Sequence, residues 1–252
     1  MKTMIQGKSI VKTFGKAGEK TTALAGVDIT VMEGEFVAVM GASGSGKSTL
    51  LYSVSGMDSI DSGSVMFDGK ELSELGENEL SDVRRTKMGF VFQQPTMLKN
   101  LNLLDNIILS SAQENRKNAA ALVDQAKSLM EKAGINGLES RDITEVSGGQ
   151  LQRAGICRAL MSRPKVLFGD EPTCALNSAA SSEIMQILSE INADGTTIML
   201  VTHDPRIAAV AEKVLFMRDG KIETELQLSK YSGSGFEGRI NKVSEKMMEI
   251  GV

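Results

Sequence analysis

With 252 residues, 41% of them hydrophobic and 24% charged, the chain is long enough for a substantial core in one large or two-lobed globular unit. A net charge of −4 gives no electrostatic reason to expect a nucleic-acid partner, and no uncharged apolar stretch approaches the length that spans a bilayer. The two cysteines, Cys157 and Cys174, are far apart, and the first eight residues lack the apolar core of a secretory signal, so free thiols in a reducing, cytoplasmic compartment are expected.

In chain order, Ser9–Phe14, Leu24–Met32 and Phe36–Met40 read as strands, separated by a turn-like Gly15-Lys16-Ala17-Gly18 and by Glu33-Gly34. The helix predicted after residue 48 ends near Ser55-Gly56. Ser64–Phe67 is a small strand closed by Asp68-Gly69, Glu77–Lys87 a charged helix, and Met88–Phe92 a buried strand broken by Gln93-Gln94-Pro95. From about residue 102 to 162 the pattern turns helical. Leu122, Val123, Ala126, Leu129, Met130 and Ala133 make one apolar helix face, which predicts a helical lobe inserted into an α/β core. Val166–Gly169, Thr197–Val201 and Val214–Met217 then read as strands, alternating with helices at Ala179–Ile191 and Pro205–Ala211. That alternation implies a mostly parallel sheet with helices on its faces. Beyond residue 228, Tyr231–Gly238 reads as a linker and Arg239–Ile250 as a helix with Ile240, Val243, Met247 and Ile250 near one face. Such a helix either caps the core or docks another subunit, and capping is the simpler expectation.

The chemistry starts at Gly41-Ala42-Ser43-Gly44-Ser45-Gly46-Lys47-Ser48-Thr49, a G-x-x-x-x-G-K-[ST] pattern between an apolar strand and a helix start. Gly41, Gly44 and Gly46 let the backbone curl, so that N–H groups turn inward on an anion beside the positive end of a helix. Lys47 is then placed to reach β- and γ-phosphates, and the Ser48 hydroxyl to hold Mg²⁺. A second strand, Val166–Gly169, delivers Asp170 and Glu171 at its C-terminal end, where open parallel sheets place their ligands. In a P-loop nucleotidase the first carboxylate helps hold Mg²⁺ and the second orients the attacking water. A third element, Ser147-Gly148-Gly149-Gln150, offers a hydroxyl and backbone donors just before a helix at Leu151–Met161. One nucleotide cannot use two such anchors from the same face of one domain. The economical reading is that a second copy of the chain supplies this element across an interface.

Together these stretches resemble the nucleotide-binding subunit of an ABC transporter, with Gly41–Ser48 as Walker A, Asp170-Glu171 closing Walker B and Ser147–Gln150 as the signature, Val146 standing for its usual Leu. The resemblance implies a P-loop NTPase core with a mostly parallel sheet, an N-terminal antiparallel β subdomain and an inserted α-helical subdomain. It also implies a cassette over residues 1–228 and a linker with a helical extension over 229–252. It makes Gln93 the glutamine that senses Mg²⁺ and the γ-phosphate and links to the membrane partner, and His203, the only histidine, the switch residue at the γ-phosphate. Phe14 falls where the family stacks an aromatic, usually Tyr, on adenine. Ser43, Ser45 and Thr49 complete the nucleotide contacts, and ATP and Mg²⁺ are the implied cofactors. Asn177 departs from the family, which usually has Asp there.

Met40–Leu51, Gly89–Gln93 and Val201–Pro205 are most similar to the MacB/LolD group, which includes ATPase subunits of bacitracin- and lantibiotic-resistance systems. The implied function is ATP hydrolysis powering a transporter through ATP-driven homodimerisation, on a membrane permease at the inner face of the cell membrane and without direct insertion. The apolar Leu98, Leu101 and Leu103 either receive that permease or belong to the helical core. A regulator or scaffold that moves a membrane partner without transport is the alternative. A chromosome-maintenance ATPase of the same superfamily would need a long coiled coil where only 97 residues separate Thr49 from Ser147. A translation factor of the family would carry two cassettes.

Overall fold

The computed structural model describes residues 2–15, 20–112 and 118–251. Most of the turn expected at Gly15-Lys16-Ala17-Gly18 lies outside the described residues. In chain order the elements are β1 (Thr3–Phe14), β2 (Thr21–Met32), β3 (Phe36–Gly41), α1 (Lys47–Val54), β4 (Ser62–Phe67), β5 (Lys70–Glu71), a 3-10 turn (Leu72–Glu74), α2 (Glu77–Lys87) and β6 (Met88–Val91). There follow α3 (Leu103–Ala112), α4 (Ala119–Lys132), α5 (Gly148–Leu160), β7 (Val166–Asp170), α6 (Ser178–Ala193), β8 (Thr197–Val201), α7 (Pro205–Ala208), β9 (Lys213–Arg218), β10 (Lys221–Gln227) and α8 (Phe236–Ile250). Two compact units result, Met1–Asp82 with Asn192–Val252, and Val83–Ile191; α2 carries the chain from the first into the second and α6 carries it back.

The first unit holds an antiparallel sheet in the order β2-β1-β4-β5 and the strands β10-β9-β3-β8. β1 starts at Thr3, six residues before the expected Ser9. Its register on β2 shifts around Lys8 and Ser9, where Ser9 takes a left-handed φ of 47° and its N–H donates to Asp28 Oδ1 at 2.8 Å. That bulge interrupts the alternation that would otherwise have marked the strand. Every residue of β3 is buried, because it has a parallel neighbour on each side: β8 in register Phe36↔Ile198 to Val39↔Val201, and β9 in register Val37↔Lys213 to Gly41↔Met217. β9 turns back through Asp219-Gly220 into β10, an antiparallel edge strand beyond the last strand expected from the sequence, Val214–Met217. α7 is a single turn rather than the helix expected to Ala211, since the Val210 and Ala211 N–H groups bond three residues back, to Ile207 and Ala208, and tighten the turn ahead of β9.

The C-terminal helix caps this unit. α8 begins at Phe236, inside the expected linker, and buries Val243 and Arg239. The Arg239 guanidinium donates from Nε to Ala209 O at 2.5 Å, from Nη2 to Ala211 O at 2.7 Å and from Nη1 to Ser229 O at 2.7 Å, with the Tyr231 ring 5.4 Å away. Met248, near its end, is 80% exposed.

In the second unit β6 and β7 pair in parallel, Met88↔Val166 to Val91↔Gly169, and Phe90 stacks on Phe168 with centroids 5.4 Å apart. α3, α4 and α5 close around Leu103, Ile107, Leu122, Ala126, Met130, Ala154, Cys157 and Met161. Each large apolar side chain buried there contributes about 1.5–3 kcal/mol. This is the helical cluster that the periodicity of Leu122 to Ala133 anticipates. Among the described residues no helix is long and apolar enough to cross a membrane.

Candidate functional site

The glycine-rich loop of the first unit follows from what surrounds it. Gly41 ends β3, and a Cβ there would lie 2.3 Å from Met217 O on β9; at Gly46 a Cβ would lie 2.4 Å from Ala23 O on β2. Two neighbouring backbones therefore leave no room for a side chain at either end of the loop. Gly46 also has φ 101°, a left-handed conformation natural to glycine, and precedes α1 as its cap. Gly220 N–H donates to Ser45 O at 3.1 Å, which fastens the loop to the β9–β10 hairpin.

Within this ring, Lys47 is 8% exposed and its ammonium donates to Gly41 O at 2.9 Å and to Ala42 O at 2.8 Å. The Ser45 hydroxyl is buried and, among the described residues, has no hydrogen-bond partner. A buried hydroxyl without a partner is costly by about 1–3 kcal/mol, and a phosphate oxygen entering the loop would satisfy it. A narrow loop, a helix N-terminus, a cation and an orphan hydroxyl together fit a phosphate chain.

Parallel pairing sets the remaining residues. β3 and β8 run side by side, so the loop after Gly41 and the segment after Val201 leave the same edge of the sheet. Thr202 N–H donates to Val39 O at 3.0 Å, and exposed His203 follows directly. Asp204 then caps α7, accepting the Arg206 N–H at 2.8 Å. Phe14 lies at the end of β1, 46% exposed rather than in the core, with Lys12 Nζ 5.2 Å from its ring centroid.

The second unit repeats the logic with another pair of strands. β6 leads to exposed Gln93, and β7 ends on Asp170 with Glu171 next, again at one edge. Glu171 has φ 47°, a strained conformation for a residue other than glycine and one that concentrates at functional sites. Cys174 sits beside them: its N–H donates to Glu171 O at 3.3 Å, burial raises its thiol pKa, and a hydrogen bond from the Gln93 side chain works in the opposite direction. Asn177 accepts the Ala180 N–H through Oδ1 at 2.9 Å at the start of α6, so the amide fills the capping role that the usual carboxylate would fill.

Ser147-Gly148-Gly149-Gln150 forms the first turn of α5, which starts at Gly148 rather than at the expected Leu151. A capping box orders it: Ser147 Oγ accepts the Gln150 N–H at 3.2 Å and Gln150 Oε1 accepts the Ser147 N–H at 2.8 Å. Gly149 lies against α6, where a Cβ would come 3.1 Å from Ala180 Cβ. Ser147 and Gly148 themselves are exposed. Sequence reasoning missed Gln152 and Arg158 of the same helix. Their signal was polar side chains among the otherwise buried Ala154, Gly155, Ile156 and Cys157.

Comparison with known proteins agrees with this geometry. The ABC transporter family profile matches residues 24–174. The bacitracin export ATP-binding protein BceA of Halalkalibacterium halodurans is 38% identical over 224 residues, covering 88% of each chain. Macrolide export ATP-binding/permease protein MacB of Mannheimia succiniciproducens is 38% identical over 224 residues, which cover 89% of this chain. The match spans only 35% of that MacB, and 39% of the MacB of Aggregatibacter actinomycetemcomitans. Among solved structures, a dimeric post-hydrolysis ATP-binding cassette bound to ADP and Pi superposes with a TM-score of 0.84 at 35% identity, over 90% of this chain and all of that one. The chain belongs to the ABC transporter family, as an ATP-binding cassette.

Proposed function

We propose that this cassette binds and hydrolyses ATP as a homodimer and thereby powers a membrane permease of the MacB or bacitracin-export type, expelling antimicrobial peptides or transmitting force to the permease. The loop at Gly41–Ser48, with buried Lys47 and the unpartnered Ser45 hydroxyl, carries the reading. Gly41, Ser43, Gly44, Ser45, Gly46, Lys47, Ser48 and Thr49 hold the phosphates, and exposed Phe14 offers its face to adenine. Glu171 orients and polarises the attacking water, and His203 contacts the γ-phosphate. Ser48, Gln93 and Asp170 present a hydroxyl, an amide oxygen and a carboxylate, the hard oxygen donors that suit Mg²⁺. Bound there, the ion would neutralise charge on the β- and γ-phosphates. The Ser147–Gln150 turn, exposed at Ser147 and Gly148, completes the pocket of the opposite copy, so closure needs the γ-phosphate and hydrolysis reverses it. The protein acts in the cytoplasm, held at the membrane through its permease.

The experiment is Glu171→Gln. The variant should bind ATP with unchanged affinity while turnover falls by about 10²-fold or more, the scale of losing a group that orients the nucleophile. Turnover near the unmutated rate would remove Glu171 from this role. For the transport reading, co-purification with a permease and stimulation of ATP turnover by a peptide such as bacitracin are expected. Permease binding without any peptide effect would favour a regulator.

A further inference from the structure

α5 grips the backbone on both sides of the Gln93-Gln94-Pro95 turn. Before it, Gln152, 2% exposed, donates from Nε2 to Phe92 O at 2.8 Å. Beyond it, Arg158 donates from Nη1 to Thr96 O at 2.5 Å, with Met97 Sδ 3.4 Å from the same nitrogen. Between them helix and turn touch directly: a Cβ at Gly155 would lie 3.3 Å from Pro95 Cβ. The three residues recur at intervals of three, on one side of the helix. Burial lowers the Arg158 pKa, so the guanidinium depends on these acceptors for the solvation it gives up. The same helix opens with the Ser147–Gln150 turn, fastened by its capping box.

We infer that Gln152 and Arg158 are positioning residues for Gln93. They lock the turn carrying Gln93 to the helix carrying Ser147–Gln150, so that any displacement of that helix moves Gln93 with it. The inference rests on the proposed role of Gln93 toward Mg²⁺ and the γ-phosphate and adds the device that sets its position. Contact of Ser147 with the other copy's nucleotide would thus be relayed along three turns of α5 to Gln93 of its own chain. A rigid element with polar anchors at both ends is the physical requirement for such coupling.

The test uses the full chain with ATP and Mg²⁺. Arg158→Met keeps the aliphatic stem and removes the donors, Gln152→Leu does the same for the other anchor, and Gln93→Ala is the reference. Loss of either anchor should lower kcat by about 10- to 100-fold through misplacement of Gln93 while leaving the KM for ATP within about threefold. The Mg²⁺ concentration for half-maximal turnover should rise about tenfold, as when a supporting partner of a metal ligand is lost. Arg158→Lys, which keeps a cationic donor, should recover a third or more of the turnover, roughly the effect of keeping one charge-assisted bond. In the Gln93→Ala background Arg158→Met should cost less than about twofold more, because both act through one group. Anchor variants with wild-type kcat and Mg²⁺ dependence, beside an impaired Gln93→Ala, would overturn the clamp and leave the role of Gln93 standing. Fully additive losses, or an unimpaired Gln93→Ala, would overturn it as well, the latter by removing the reading beneath it. Should Gln152→Leu fail to fold, the partly exposed Arg158 decides the question alone.

Discussion

Gly46→Ala probes the phosphate loop, with Gly44→Ala as its control. Both glycines have positive φ, 101° and 78°, so an alanine at either adopts a conformation that costs an L-residue about 1–2 kcal/mol. They differ in their surroundings. A Cβ at Gly44 meets nothing within 4 Å, whereas at Gly46 it stands 2.4 Å from Ala23 O, a backbone atom of β2 that cannot rotate away. Relieving that overlap requires shifting the loop or the strand, which adds about 1–3 kcal/mol. Gly46→Ala should therefore lose about 3 kcal/mol, a fall in Tm of about 6–12 °C for a chain of this size, and Gly44→Ala about 1.5 kcal/mol, a fall of only about 3–6 °C. The assay is thermal unfolding without nucleotide, followed by titration with a fluorescent ATP analogue. If the loop relieves strain by moving, it must be restored on binding, and the ATP affinity of Gly46→Ala should drop by up to about a hundredfold. Equal melting temperatures for the two variants would refute the steric reasoning.

Other positions make comparably sharp demands. Arg239→Met strands three carbonyls that the guanidinium now satisfies, so urea unfolding should show a loss of about 3 kcal/mol. Cys157 is pushed up from 9.0 to about 12 by burial. The folded state thus keeps a proton that the unfolded chain releases, and this contribution is complete below pH 9 and lost as pH climbs toward 12. Wild type should lose about 1 kcal/mol by pH 10 relative to Cys157→Ala, measured by urea titration at pH 8 and 10. Asn177→Asp should retain the cap on α6 and leave stability unchanged, while Asn177→Ala should cost about 1 kcal/mol in the same assay.

Most strands and helices were legible because burial imposes a period: the continuous apolar run of β3 and the 3.6-residue face of α4 could be read directly. What escaped obeys local exceptions to periodicity. The first half of β1 hides behind the bulge at Ser9, and β10 alternates between exposed and half-buried residues, with too little apolar signal to mark a strand. The one local signal it offers is the turn dipeptide Asp219-Gly220. The start of α5 was misplaced by three residues because Gly148 and Gly149 read as loop formers. The capping box between Ser147 and Gln150 outweighs their poor helix propensity. The glycine loop was visible as a spacing, but its reason, the carbonyls of Ala23 and Met217 pressed against it, comes from residues distant in the chain. The Gln152 and Arg158 anchors depend likewise on which carbonyls the fold brings to α5, which no spacing encodes.

Sedimentation velocity of Glu171→Gln with and without ATP and Mg²⁺ tests most directly whether two copies close on nucleotide. The expected result is a monomer without ATP and a dimer with it. Adding Ser147→Arg to that background should return the protein to monomer although each copy still binds ATP. A protein that stays monomeric with ATP bound, or dimerises equally well with Ser147 replaced, would contradict the account.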